Sequence, residues 1–578
     1  MATRPALATD VDDSAPAALE PLLDDRQERT LKGLVVACVL ALTWFWSWWL
    51  QPEHWAAAAG MLFNSAMLAW ATGLAGYLFF FALRATRPST MTPLPAVRVA
   101  MVVTKAPSEP WPVVQRTIEA MLAQELAIPF DVWLADEQPS VETRRWCETH
   151  RVRVSSRHGL AAYHQASWPR RTRSKEGNLT YFYERHGYDD YDVVVQLDAD
   201  HVPAPGYLDA MVRPFADPTV GYVAAPSVCD ANRELGWTVT ARLYKEATLH
   251  GVVQAGCNGG YGPVCIGSHY AVRTAAVRSI GGIGPELAED FSTSFILQSR
   301  GWDGVFSIDA EAHGDGPESF TECMTQELQW SRSLATVAVR YTGGRWHKLP
   351  WRTRARFAFS LLFYPLFALQ MLAGVLFPLV AIATDTPWVD VPLVGFWLHV
   401  WPVSLMSAVA VAWLRRQQVL RPVDTKLVSW EVTLFMLTRW WWVLWGTLQG
   451  WWAGWRRRDV PFRVTPKGSS DAKLLQVRFV APTLVWPALI AVVLAVTDAG
   501  RTAGYRLLAV GSMLAYLIAA NVVVALHLRD NRHRRRANPP ATRRPAAAWL
   551  AQGGAALIAT LAVTGTSVAL VAWRARYG

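Results

Sequence analysis

Four acidic or amide-bearing stretches follow one another along one polar region of the chain. They are Asp136, then Asp198-Ala199-Asp200, then Glu289-Asp290, then Gln326-Glu327-Leu328-Gln329-Trp330. Carboxylates two apart beyond a strand end can hold Mg²⁺ or Mn²⁺ through oxygen while a diphosphate fills the other positions. Such a metal neutralises charge on a departing nucleotide. Asp198 and Asp200 are the candidate ligands. A carboxylate such as Asp290, with Glu289 beside it, can take the proton of an attacking hydroxyl. Gln326 and Trp330 offer an amide and a flat ring that stacks on the apolar face of a sugar. Lys175, in Ser174-Lys175-Glu176-Gly177-Asn178, is placed to reach a phosphate.

Each signal has a plainer counterpart. An isolated D-x-D is usually a solvated turn, and Asp10-Val11-Asp12 and Asp190-Tyr191-Asp192 are read that way. Only Asp198-Ala199-Asp200 follows a buried-looking run, Val193-Val194-Val195-Gln196-Leu197. Glu289-Asp290 at a helix start also satisfies the helix dipole. With 30 Trp in the chain, any one ring is more often core or interface than ligand site. Position and order decide for the functional reading.

The elements that must hold these groups are those of an α/β domain. Val97 to Val103, Phe130 to Ala135, Val152 to Val154, Asp192 to Leu197 and Gly221 to Ala225 read as strands; Trp111 to Leu126 and Glu176 to Arg185 read as helices. Asp136 and Asp198 each come just after a strand, where ligands of open α/β sheets sit.

Around that domain the chain is apolar. Leu34 to Leu50, Trp55 to Leu83, Phe357 to Thr384, Val391 to Leu414, Phe479 to Thr497, Leu507 to Leu528 and Ala547 to Trp573 approach or exceed the length that crosses a bilayer. The net charge of +10 gathers in loops beside these runs, at Arg415-Arg416, Arg456 to Arg458 and Arg532 to Arg544. That is the positive-inside pattern, so it points to cytoplasmic loops rather than to nucleic acid. Val428 to Trp455 carries Glu431, Arg439 and many Trp, and is read as an interfacial helix. The six cysteines form no C-x-x-C pair, which suits reduced thiols better than disulfides or zinc. The expected organisation is a disordered tail over 1–30, two spans over 31–84, and the α/β domain over 95–345. Two further spans with the interfacial helix occupy 346–470, and three spans with a basic loop occupy 471–578.

Taken in order, the motifs resemble the processive, membrane-integrated family 2 glycosyltransferases, above all the bacterial cellulose synthase catalytic subunit. The signature D, D-x-D, [TS]-E-D, Q-x-x-R-W and F-x-V-T-x-K-G has counterparts at Asp136, Asp198 to Asp200, Ala288 to Asp290, Gln326 to Trp330, and Phe462-Arg463-Val464-Thr465-Pro466-Lys467-Gly468. Ser108-Glu109-Pro110, Lys175 to Leu179, Ile266-Gly267-Ser268 and Pro317-Glu318 are smaller matches. The resemblance implies a Rossmann-like GT-A domain inserted in a multi-pass α-helical transmembrane bundle, in a bacterial inner membrane with the domain cytoplasmic. It implies a UDP-sugar donor, Mg²⁺ or Mn²⁺, a polysaccharide product, and periplasmic or export subunits. Glu109 and Asp136 would meet uridine, with Lys175 near the diphosphate. Asp198 and Asp200 would hold nucleotide and metal, and Asp290 would be the base. Gln326 and Trp330 would meet the acceptor. Phe462, Val464, Thr465 and Lys467 would form a gating loop.

Two departures stand out. Gln329 replaces the arginine of Q-x-x-R-W, with Arg332 as a nearby substitute, and Ala288 replaces Thr or Ser. Loss of a charged diphosphate contact costs ~2–3 kcal/mol of leaving-group stabilisation. Arg532 and Arg536 have the spacing of an R-x-x-x-R motif, but the apolar run that soon follows leaves no room for a PilZ barrel. The F-x-V-T loop favours a β-glucan maker. A single-sugar transferase acting on a lipid or short acceptor, and a hyaluronan- or chitin-type synthase, are the alternatives.

Overall fold

A computed structural model describes residues 18–286, 288–458, 473–498, 500, 502–537 and 553–577. Its first elements correct one expectation. Residues 19–30 are ordered: β1 (Leu19–Pro21) pairs antiparallel with β2 (Thr86–Pro88), and α1 (Asp25–Trp49) begins at once. Asp24 caps that helix, its carboxylate accepting from the Arg26 and Gln27 amides while the Gln27 side chain accepts from the Asp24 amide. A strand of three residues, two of them Leu and Pro, gives no alternation to read. The remainder of the expected tail, 1–17, lies outside the described residues.

The α/β domain is built on a seven-stranded sheet. Its strands are β3 (Val99–Lys105), β4 (Phe130–Asp136), β5 (Arg153–Ser155), β6 (Val193–Asp198), β8 (Val220–Ala224), β10 (His269–Arg273) and β11 (Asp303–Phe306), in the order β11-β8-β10-β6-β3-β4-β5. A small second sheet joins β7 (Val202–Pro203), β9 (Ser227–Val228) and β12 (Ala312–His313). Strands β6, β3, β4 and β5 are parallel, and β10 runs antiparallel to both β6 and β8. All seven residues of β3 are buried, as befits a central parallel strand covered on both faces. Strands β10 and β11 escape a sequence reading, being short, with polar residues at both ends of β10 and at the start of β11.

Register sets the chemistry. Lys105 pairs with Asp136 across β3 and β4, and Thr104 pairs with Asp198 across β3 and β6. Both acids therefore stand at one carboxyl edge. Helix α3 (Trp111–Leu122) buries Val114, Thr117, Ile118 and Met121 at helical spacing. Its Thr117 hydroxyl donates to the Ala199 carbonyl at 2.8 Å, fixing the turn after β6. It stops four residues short of the expected Leu126. Helix α4 (Lys175–Phe182) is capped by Ser174, then gives way to a π turn over Tyr183–Gly187 where one continuous helix was expected.

Further helices are α5 (Trp237–Glu246), α6 (Glu289–Ser299), α7 (Phe320–Arg340), α8 (Trp351–Thr384), α9 (Leu393–Arg416), α10 (Trp430–Arg456), α11 (Val477–Val496), α12 (Ala503–Ala537) and α13 (Ala555–Tyr577), with α2 (Ala58–Ala82) near the start. Among the described residues, seven helices are long and apolar enough to cross a membrane: α1, α2, α8, α9, α11, α12 and α13. Helix α10 is not among them. It lies along α7, and Gly446, Gly450 and Gly454 form the contact. A Cβ at Gly446 would strike the Leu328 carbonyl, and one at Gly450 the Arg332 carbonyl. The other face of α10 shows Trp445, Trp451, Trp452 and Trp455.

Candidate active site

Lys175 is the first residue of α4, and its ammonium gathers the acids. Nζ lies 2.7 Å from Asp198 Oδ1 and 3.4 Å from Glu289 Oε1, and donates to the Gly267 carbonyl at 2.5 Å. Burial opposes charge on Lys175. The fields of Asp198, Glu289 and Asp290 outweigh it and hold the ammonium above its ordinary pKa. Glu289 and Asp290 open α6. Burial raises both carboxyls above the ordinary range; Lys175 pulls both down, and Asp290 reinforces the rise of Glu289. The Phe291 amide donates to Asp290 Oδ1 at 2.7 Å, and the Gly267 amide adds a second donor. Helix α7 reaches the same place, because Ser333 Oγ accepts from the Ala288 amide at 2.9 Å. Ala288 itself supplies no side-chain cap to α6.

The uridine candidates stand along the edge from β3 to β4. Asp136 is fully buried; its carboxylate lies 3.2 Å from Lys105 Nζ and accepts from the Gln138 amide. Lys105 was missed because the strand was expected to end at Val103. Glu109 closes the loop after β3 by accepting from the Ala106 amide at 2.8 Å. Several buried polar atoms along this edge have no hydrogen-bond partner among the described residues: Ser155 Oγ, Asn178 Oδ1, Ser268 Oγ and Tyr270 OH. Buried polar groups are normally satisfied, so such a row is what a polar ligand or water would complete.

The D-x-D acids part company. Asp198 is 30% exposed and faces Lys175. Asp200 turns inward: Oδ2 accepts from the Asp315 amide at 3.0 Å, and Oδ1 lies 3.2 Å from His201 Nδ1. Asp198 is thus the more open of the two expected metal ligands. Among the described residues no group of three His, Cys, Asp or Glu could hold a metal ion. Mg²⁺ commonly takes one or two carboxylates plus substrate phosphates. Asp198 fits that role, with Asp200 held next to it by the Asp315 amide.

On α7, Trp330 is half-buried beneath Arg242 of α5, whose guanidinium carbon lies 4.6 Å from the ring centroid. Gln326 Oε1 accepts from Arg242 Nη1 at a long 3.4 Å. Gln329 is buried on the same helix. Burial lowers the pKa of Arg332, and Glu286 partly restores it. Arg242 was missed because α5 was not read as a helix. Phe462, Val464, Thr465 and Lys467 lie outside the described residues. Lys473, just beyond them, is held by Asn531 and lies 3.3 Å from Glu318 and 3.2 Å from Glu322.

The model of glycosyl transferase family group 2 matches residues 193–524, more than half of the chain. The chain belongs to that family. Among curated relatives, this transferase is 25% identical over 156 residues to the cellulose synthase catalytic subunit of Xanthomonas axonopodis pv. citri, covering 25% of this chain and 21% of that one. Cellulose synthase 1 of Komagataeibacter xylinus is 27% identical over 178 residues, covering 29% and 11%. These alignments thus take in about a fifth or less of the relatives' own length. Among solved structures, a mannosyltransferase of Pyrobaculum calidifontis in complex with GDP-mannose and Mn²⁺ is 16% identical. It covers 67% of this chain and 97% of that one, with a TM-score of 0.40. Glucosyl-3-phosphoglycerate synthase of Mycobacterium tuberculosis, in complex with Mn²⁺, UDP-glucose and phosphoglyceric acid, is 13% identical. It covers 46% of this chain and 80% of that one, with a TM-score of 0.30.

Proposed function

We propose that this transferase polymerises glucose from UDP-glucose into a β-glucan and passes the product out through its own helices. One observation carries the reading: Lys175 draws Asp198, Glu289 and Asp290 to a single point at the carboxyl edge of the sheet. A donor-side acid and cation and a base thus share one cleft. Similarity to cellulose synthases supports glucose, and the seven long apolar helices support a membrane route. The bundle sits in a bacterial inner membrane with the α/β domain on the cytoplasmic side, as the basic loops favour. Export subunits complete the path.

In the reaction, Asp290 accepts the proton of the acceptor hydroxyl. The hydroxyl oxygen forms a bond to the anomeric carbon as the bond from that carbon to phosphate breaks. UDP leaves with the bonding pair, and the anomeric centre inverts. Lys175 faces the diphosphate. A divalent cation held by Asp198 would neutralise the charge that develops there. Glu109, Lys105 and Asp136 line the nucleoside end, Trp330 and Gln326 the acceptor end, and the segment with Phe462, Val464 and Thr465 closes over the nucleotide.

The deciding experiment uses purified protein in lipid nanodiscs with Mg²⁺ or Mn²⁺ and labelled UDP-glucose. UDP release and product mass are followed, and the product is digested with linkage-specific glucanases. Long product that falls to a β-glucanase supports the proposal. UDP release with only one sugar added would replace it with single-sugar transfer. Turnover only with UDP-N-acetylhexosamines would replace the substrate.

A further inference from the structure

A second charged cluster stands where α5, α7 and α10 meet, with three basic side chains to two acids. Lys245 Nζ lies 2.9 Å from Glu327 Oε1 and 3.2 Å from Glu246 Oε1. Arg439 Nη1 donates to Glu327 Oε2 at 2.6 Å, with both side chains only 1% exposed. His250 Nδ1 accepts from the Ser227 amide, and its Nε2 lies 3.5 Å from Glu246 Oε2. The basic side chains are Arg242, Lys245 and Arg439, and the acids they meet are Glu246 and Glu327.

Of the three bases, Arg242 makes the longest contacts. Its side chain is 14% exposed, yet its contacts are long: Nε is 3.5 Å from Glu246 Oε2, and Nη1 is 3.4 Å from Gln326 Oε1. Nε makes no hydrogen bond among the described residues. A guanidinium carries five N–H donors in a planar fork. Leaving such a group buried and poorly satisfied is costly unless an anion completes it. The fork is also fixed in place, stacked 4.6 Å from the Trp330 centroid with Lys245 5.9 Å from the same ring. Its field extends towards the D-x-D turn. Burial opposes ionisation of the Cys229 thiol, but Arg242 and His201 outweigh it and lower the pKa, and His201 adjoins Asp200.

We infer that Arg242, braced on Trp330, is an oxyanion-binding subsite that takes a phosphate or carboxylate of the reacting sugars. Planar bidentate anions match the guanidinium fork, which an ammonium does not reproduce. The inference rests on the transferase reading and deepens it. Two sources carry this chemistry: the leaving diphosphate of the donor, and an acid group on the acceptor sugar. Position 329, beside Trp330, holds a neutral Gln, so Arg242 brings from another helix the cation that α7 lacks there.

The test uses full-length protein in nanodiscs, unaltered and as Arg242→Met and Arg242→Lys, with thermal unfolding to confirm that each variant folds. Affinities are measured by calorimetry for UDP, inorganic pyrophosphate, glucuronic acid and glucose. The expectation is that Arg242→Met weakens one class of anion about tenfold or more and leaves glucose unchanged. Arg242→Lys should fall between, and it serves alone if the Met variant does not fold. Weakened UDP and pyrophosphate assign the subsite to the donor; weakened glucuronic acid with UDP unchanged assigns it to an acidic acceptor. Anion affinities that stay put, or a loss shared equally by glucose, overturn the inference. Failure of the transferase reading would look different, since the unaltered protein would then bind no UDP and transfer no sugar. Pyrophosphate would still report on Arg242.

Discussion

Asp290→Asn tests the proposed chemistry most directly. The substitution keeps the shape of the side chain and removes its capacity to take a proton. A positioned general base contributes about 10²–10⁴-fold to rate, which is about 3–5 kcal/mol of activation energy. The structure adds a second, smaller effect. Two amides, those of Phe291 and Gly267, donate to the Asp290 carboxylate. A carboxamide can accept from one of them, but its NH₂ group meets the other donor head-on. That mismatch costs about 1–3 kcal/mol of local stability, enough to lower the unfolding temperature slightly without emptying the site. In the proposed mechanism nucleotide affinity rests on Lys175, Asp198 and the β3–β4 edge, so it should change by no more than about threefold, well under the loss in kcat. The measurement is kcat by UDP release in nanodiscs, paired with calorimetric titration of UDP. A variant that turns over normally, or one that loses UDP binding in step with kcat, would show that Asp290 is not the base.

Three other outcomes are expected. Burial raises the Asp290 carboxyl to about 6, so kcat/KM should fall as pH drops through that value; an activity flat across it would contradict the assignment. The same shift has a stability sign: the folded state holds protons that an unfolded Asp or Glu releases above pH ~4, so stability from this pair is full below that pH and declines as pH rises through the folded values. Lys175→Met leaves Asp198, Glu289 and Asp290 without their shared cation, so the acid limb should move to higher pH and UDP affinity should drop about tenfold or more. An unmoved limb would mean that the lysine does not set the charge of the pair. Gly450→Leu drives a side chain into the Arg332 carbonyl, and overpacking of this kind costs about 1–3 kcal/mol. Its unfolding temperature should fall, whereas Gly344→Ala, with open space around it, should be neutral.

How much of this was legible depends on where each residue gets its instructions. Asp136 and Asp198 could be placed because each ends an apolar strand, and the end of a parallel strand fixes position. Glu289 and Asp290 could be placed because a helix start is visible in local pattern. Asp200 could not be. Its inward turn depends on the Asp315 amide, 115 residues away in sequence, and a two-residue spacing says nothing about that. Lys105 was hidden by a strand running two residues farther than its apolar core. Arg242 reaches Gln326 across 84 residues, from a helix whose polar face carries no motif. The early strand Leu19–Pro21 is defined by its partner at Thr86–Pro88 rather than by its own residues. Long-range pairing decided each of the residues that sequence reading misplaced.

The three glycines of α10 have a mechanical consequence. Most helix pairs are separated by a cushion of side chains whose rotamers absorb small displacements. Between α10 and α7 that cushion is missing at two consecutive crossings, where peptide groups of one helix face a bare backbone on the other. The two rods therefore move as one stiff member. Any tilt imposed on the Trp-faced side of α10 is delivered undamped to Gln326 and Trp330, and through Ser333 to the turn that holds Glu289 and Asp290. The edge of the cleft that carries Trp330 is, in this sense, the short arm of a lever whose long arm is α10.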